Sequence, residues 1–176
     1  MATRHLAHRR ADPVGIDLSP RMCAIARRTT SLPYAAADMT APPIRSGSVS
    51  GILCWYAVIH LDGPRRNAAY AEFARVLRQG GHALLGFHTS DTDTQPGQAK
   101  TLTDWWDQPV DLTFRLLDPA AETAALAQAG LDLVARLDRT PHTAVEHPSQ
   151  RSYLLVRRSA PDLRRRLTAT RHPTPC

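Results

Sequence analysis

Lysine is almost absent from this chain: of 22 basic side chains in 176 residues, only Lys100 is lysine. Together with abundant Ala and Pro, that bias has the look of GC-rich coding and gives no reason to read the arginines as a phosphate-recognition surface. Cysteine is scarce too. Cys23, Cys54 and Cys176 are odd in number and show no C-x-x-C spacing, which excludes a disulfide framework and a zinc ribbon and fits free thiols in a reducing compartment. No apolar run is long enough to span a membrane, and MATRHLAHRR lacks the apolar core of a secretory signal, so a cytoplasmic protein with no membrane partner is expected. Internal repeats are absent as well.

What is present suits one soluble domain of α/β size: 43% of residues are apolar and 22% charged. A net charge of +6 at first suggests an anionic partner. Its distribution argues otherwise. Residues 1–150 hold 15 basic and 15 acidic side chains, whereas residues 151–176 hold seven Arg against Asp162 alone. The basicity therefore belongs to the end of the chain, and no nucleic-acid partner is expected. Residues 1–159 read as the domain. Residues 160–176, with Arg164-Arg165-Arg166, have too few apolar side chains to fold alone and read as a disordered basic tail.

The chain alternates strand and helix signals. Residues 3–10 can form a short helix ended before Pro13, and residues 14–18 (VGIDL) read as a buried strand. Ser19-Pro20 is an N-cap with proline at N1, opening a helix to about Arg28 with Met22, Ile25 and Ala26 facing inward. A short extended piece over 32–37 leads to Asp38-Met39 and a Pro/Gly/Ser loop over 40–48. Residues 49–56 (VSGILCWY) read as a strand covered on both faces. Pro64 opens a helix with Ala69, Phe73, Val76 and Leu77 on one face, stopped at Gly80-Gly81, and residues 82–89 form the next strand of a right-handed β-α-β unit. Residues 90–113 are polar and patternless apart from Trp105-Trp106, as in a lid or flexible insertion. Asp118-Pro119 caps a helix ending at Gly130, and the strands 131–137 and 152–156 should pair antiparallel.

In open α/β sheets a ligand lies beyond the carboxyl ends of the strands, where this order places Asp17, Asp38, the Cys54-Trp55-Tyr56 run with His60, and His88. The segments GIDLSPRMCAIAR, AADM, GILCWYAVIHL and EFARVLRQGGHALLGFH, in this order and spacing, resemble the class I S-adenosylmethionine-dependent methyltransferases of small-molecule, methyltransferase-11-like type. The resemblance spans roughly residues 1–158. It implies a Rossmann-like α/β fold, with a mostly parallel sheet closed by a C-terminal antiparallel pair, and S-adenosyl-L-methionine as cofactor.

By that resemblance Asp17, with Leu18 beside it, receives the ribose hydroxyls, Asp38 the adenine amine with Met39 against the ring, and Cys54 and Trp55 the methionine end. Tyr56, His88, Trp105 and Trp106 then face a small-molecule acceptor, and His60 is the candidate base. Structural alternatives stand beside these roles. Asp17 can cap the following helix, Asp38 can simply turn the chain, His60 can pack against the core, and the tryptophans can anchor their loop. No metal site is expected.

The family's first strand and glycine-rich loop have no counterpart in this sequence, where only sixteen residues precede Asp17. Three readings stay open: a longer product, an inactive remnant or interaction subunit, and a partner that supplies the strand. A nicotinamide-dependent oxidoreductase is the other enzyme class to weigh, since an acid after the second strand serves a ribose there too. The antiparallel end and the lack of a Tyr-x-x-x-Lys pair argue against it.

Overall fold

The computed structural model describes residues 2–105, 107–142 and 145–159. The chain divides into two compact units at Arg45/Ser46. The first contains α1 (Ala2–His8), β1 (Gly15–Asp17), α2 (Pro20–Thr30) and β2 (Tyr34–Ala36). The second contains β3 (Val49–Trp55), a 3-10 turn (Val58–His60), α3 (Gly63–Val76), β4 (Leu77–Ser90), β5 (Ala99–Trp105), β6 (Gln108–Arg115), α4 (Pro119–Gln128), β7 (Leu131–Arg139) and β8 (Gln150–Arg158).

Among the described residues, three of the four α-helices start by one device. A side-chain oxygen accepts the backbone N–H of a first-turn residue, and a proline, which has no N–H to leave unpaired, occupies N1 or N2. Ser19 Oγ takes Met22 N at 3.2 Å, Asp62 Oδ1 takes Arg65 N at 2.9 Å and Asp118 Oδ1 takes Ala120 N at 2.9 Å. The Ser19-Pro20 and Asp118-Pro119 caps and the opening of α3 by Pro64 are therefore read correctly from sequence, Asp62 being the cap that the structure adds, and each cap contributes about 1 kcal/mol.

In the first unit β1 and β2 pair in parallel, Gly15 opposite Tyr34 and Asp17 opposite Ala36. The expectation of a buried strand here is corrected: Val14, Ile16 and Leu18 are all exposed, because β1 ladders with β2 alone. The inward stripe of α2 also shifts. Met22 and Ile25 are exposed, and the side chain that is fully buried is Cys23, whose Sγ lies 3.3 Å from the Ala35 carbonyl.

In the second unit a four-stranded sheet runs β3-β4-β8-β7, with β3 and β4 parallel and β8 antiparallel to both β4 and β7. The β-α-β unit and the closing antiparallel pair are as expected. One face is the core: Cys54, Ala83, Leu85, Phe87, Leu154 and Val156 alternate with outward residues and meet Ala69, Tyr70, Phe73 and Val76 of α3 and Leu126 of α4. Each fully buried Leu or Phe contributes roughly 1.5–3 kcal/mol. The other face carries Leu53, Trp55, Leu84, His88, Tyr153 and Leu155, all half-buried or exposed, so β3 is not covered on both faces.

Helix α3 ends at Val76, short of the Gly80-Gly81 stop expected from sequence. The Arg75 carbonyl takes Gly47 N at 2.8 Å and the Leu77 carbonyl takes the Arg158 guanidinium, so these groups are satisfied outside the helix. Gly80, at φ +71°, instead sits in an irregular start of β4, where the register jumps from Val49–Leu77 to Gly51–His82. The patternless segment proves to be structured: β5 and β6 form an antiparallel hairpin with Thr101 opposite Thr113 and Leu102 opposite Leu112. The basic tail, 160–176, lies outside the described residues.

Candidate active site

Beyond the carboxyl end of β3 the chain turns through Tyr56, at φ +51°, a left-handed conformation that costs a residue with a Cβ about 1–2 kcal/mol. Its N–H still donates to the Gly86 carbonyl at 2.8 Å, so the turn stays tied to β4. The rotation lays the Tyr56 ring on the His88 imidazole, with centroids 4.5 Å apart and planes at 28°. The Tyr56 hydroxyl is 3.0 Å from that of Tyr153, and the Tyr153 ring is stacked under Trp55 at 5.2 Å and 27°. Trp55 meets Tyr56 edge-on at 5.4 Å.

Gly86 is the floor of this shelf of rings. A Cβ there would come within 3.1 Å of both Trp55 and Tyr153. Tyr153 is the member sequence reasoning missed. Its parity was available, because Tyr153 falls between Ser152 and Leu154, opposite to the core residues of β8, whereas its register with Gly86 came only from the sheet.

Charge lies behind the shelf. Arg139 stands 5.8 Å over the Tyr153 ring and holds Glu146 with two hydrogen bonds of 2.7 Å, which draws the Glu146 carboxyl down to about 2. Arg151 is nearly buried. It donates to the carbonyls of Ser149 at 2.7 Å and His147 at 3.3 Å. His88 Nδ1 is 2.8 Å from Ser149 Oγ. Burial first, and then the Arg151 charge, push the His88 imidazole down to about 4. Burial and the Tyr153 hydroxyl raise the Tyr56 phenol to about 12.

The remaining expected residues have separate environments. His60 is exposed at the end of the 3-10 turn, its Nδ1 3.4 Å from the Thr113 carbonyl of β6, so it is tied to the hairpin rather than packed in the core. The Cys54 side chain is in the core and its thiol is pushed up to about 11 by burial, which leaves only its backbone to meet a ligand. Trp105 is 45% exposed at the hairpin tip, and Trp106 lies outside the described residues.

In the first unit Asp17 is exposed at the carboxyl end of β1. Its Oδ1 accepts Ser19 N at 2.8 Å, and among the described residues its Oδ2 has no hydrogen-bond partner. Asp38 Oδ1 accepts both Thr40 N at 2.9 Å and Thr40 Oγ1 at 2.8 Å, so the chain-turning role is in place there. Met39 is half-buried and Leu18 exposed. Among the described residues no group of three or more His, Cys, Asp or Glu could hold a metal ion, and no helix is long and apolar enough to cross a membrane.

A family model described as a methyltransferase domain matches residues 1–81. A Methanosarcina mazei SAM-dependent methyltransferase superposes with a TM-score of 0.72 at 10% identity, over 83% of this chain and 81% of that one. The Burkholderia thailandensis 1,6-didemethyltoxoflavin-N1-methyltransferase, solved with 1,6-didemethyltoxoflavin and S-adenosylhomocysteine, gives 0.69 at 16% identity, over 90% of this chain and 66% of that one. A Mesorhizobium loti S-adenosylmethionine-dependent methyltransferase gives 0.64 at 17% identity, over 88% and 84%. No sequence among the curated proteins matches.

Proposed function

We propose that this chain, whose fold is that of the class I S-adenosylmethionine-dependent methyltransferases, directs methyl transfer to a small, flat organic acceptor with S-adenosyl-L-methionine as the donor. The observation that carries this reading is the shelf of Trp55, Tyr56, His88 and Tyr153 beyond the carboxyl ends of β3 and β4, where open α/β sheets receive ligands. The donor supplies a sulfonium-bound methyl group, already paired with a good leaving group.

What remains for the protein is to hold two molecules in line and keep water away. Asp17 fits the first need. Its turn uses one carboxylate oxygen, and the other is available to accept from vicinal hydroxyls. In this reading Leu18, Asp38 and Met39 are the first unit's further candidates for the donor, and the backbone at Cys54 and Trp55 is the second unit's, each taken by itself. The rings of Tyr56 and His88 provide a stacking surface for the acceptor, and Trp105, exposed at the hairpin tip, is the candidate to cover it. The equal charge of residues 1–150 fits a small-molecule acceptor better than a nucleic acid.

Calorimetric titration of S-adenosylmethionine into the whole chain and into Asp17→Asn tests the reading. The asparagine keeps an oxygen for Ser19 N, so the turn survives while the charged acceptor is lost. A one-to-one isotherm that weakens about 10- to 100-fold in the variant is expected, as for loss of a charge-assisted hydrogen-bond pair. No binding by the wild-type chain, or equal binding by both, refutes it.

A further inference from the structure

We propose that His88 is the proton acceptor of the transfer step, with Ser149 as the residue that fixes its tautomer; this rests on the methyl-transfer reading above. Two histidines stand near the ends of β3 and β4. His60 is exposed, its Nδ1 is directed at the Thr113 carbonyl of the hairpin, and among the described residues it makes no ring contact with the shelf. His88 is half-buried and clamped. Its ring is stacked on Tyr56 at 4.5 Å, and the backbone on either side of it is held by the β4–β8 ladder, with the His88 carbonyl taking Leu117 N at 2.9 Å.

One ring nitrogen of His88 is already committed. Ser149 Oγ lies 2.8 Å from Nδ1, and its own proton has the His147 carbonyl to go to at 3.5 Å. In that arrangement Nδ1–H donates to Ser149, the hydroxyl donates to the carbonyl, and Nε2 is left with a free lone pair. The Arg151 guanidinium, pinned to the Ser149 and His147 carbonyls, keeps the ring from charging, as do His147 and burial itself. Asp91 and Glu146 oppose them more weakly. Burial first, and then the Arg151 charge, thus favour the neutral imidazole.

A weak base is sufficient for this chemistry. The acceptor's lone pair forms the new bond to carbon, the carbon–sulfur bond breaks with its electrons left on sulfur, and the acceptor's O–H, or the N–H of an amide-like or heteroaromatic nitrogen, becomes strongly acidic as it gains the methyl group. That proton passes to Nε2. A base kept neutral before the transfer loses no active fraction to prior protonation, and the acidity of the methylated acceptor offsets its smaller driving force for taking the proton.

Long-range proton–nitrogen correlation spectra of the whole chain read the tautomer directly, with His88 identified by the signals that vanish in His88→Gln. The expected result is a protonated Nδ1 and an unprotonated Nε2 from pH 7.5 down to about 5. Ser149→Ala is expected to shift the ring toward the Nε2–H form preferred in water, and Ser149→Thr to restore the wild-type spectrum. A merely structural serine would leave the tautomer unmoved. A wild-type ring protonated at Nε2, or one unaffected by Ser149→Ala, overturns the proposal.

With S-adenosylmethionine and catechol as the probe pair, His88→Gln is expected to lower kcat about 100-fold or more, the usual contribution of a positioned base, without weakening donor binding. His82→Gln, six residues earlier on β4, should leave it unchanged. Equal rates for wild type and His88→Gln overturn the catalytic role. Donor binding measured by calorimetry reports on the methyl-transfer reading and the nitrogen spectra report on His88, so failure of one is distinguishable from failure of the other.

Discussion

Glu122 lies in the core between α3 and α4, and its replacement by glutamine gives a sharp measure of what holds this half of the chain together. One carboxylate oxygen, Oε2, accepts from both Arg66 Nε at 2.9 Å and the Tyr70 hydroxyl, while Arg66 Nη1 donates to the Leu61 carbonyl at 2.9 Å. The side chains are only 15% and 5% exposed. At 2.9 Å the attraction of two unit charges is roughly 6 kcal/mol for an effective dielectric near 20, and much of it offsets the desolvation of both ions. Glutamine keeps the shape and an acceptor for Tyr70. It removes the charge that Arg66 needs.

Breaking a buried pair by deleting one partner costs roughly 3–5 kcal/mol. Because Arg66 retains the Leu61 carbonyl, about 3 kcal/mol is expected. Urea unfolding followed by circular dichroism should show the midpoint falling by about 1.5 M for a slope near 2 kcal/mol/M. The triple replacement Arg66→Met, Tyr70→Phe and Glu122→Leu should recover much of the loss, since apolar groups of similar volume leave neither a cation nor the Tyr70 hydroxyl unpaired. A change under about 0.5 kcal/mol in Glu122→Gln would show that the network is solvated and refute the reasoning. The effect has a functional reach as well, because Leu61 directly follows the turn that carries His60.

Acid stability should depend on His88. Its imidazole falls from 6.5 in the unfolded chain to about 4 in the fold, so the unfolded chain binds the extra proton as pH drops. The associated stability is complete above about pH 6.5 and is lost as pH falls toward 4; His88→Gln should flatten this leg in urea midpoints taken from pH 7 to 4, and parallel pH curves would contradict it. At the shelf, Gly86→Ala puts a methyl group within 3.1 Å of Trp55 and Tyr153. Overpacking of about 1 kcal/mol is expected, together with a changed emission spectrum of the tryptophans; an unaltered spectrum and Tm would show that the rings yield freely.

The family resemblance and most helix starts were legible because they depend on near neighbours. Ser19, Asp62 and Asp118 cap helices through contacts two or three residues away, so a linear sequence contains the whole interaction. The hairpin over residues 99–115 was missed because its exposed strands show little apolar alternation. Its pairing across the turn, Thr101 against Thr113, supplies the order instead. The helix end at Val76 was misplaced for a similar reason, since the group that takes the Leu77 carbonyl is Arg158, 81 residues away.

By itself the sequence determined the order of strands and helices outside residues 99–115, the neutrality of residues 1–150, and the acids that follow the first two strands, because periodicity, composition and local caps are properties of short segments. Only the tertiary structure decided which histidine is clamped and which is exposed, since that depends on β8 laying Tyr153 beside Gly86 and on Ser149, just before β8, lying against His88. Register between strands distant in sequence is set by burial of the common face, and no local pattern encodes it.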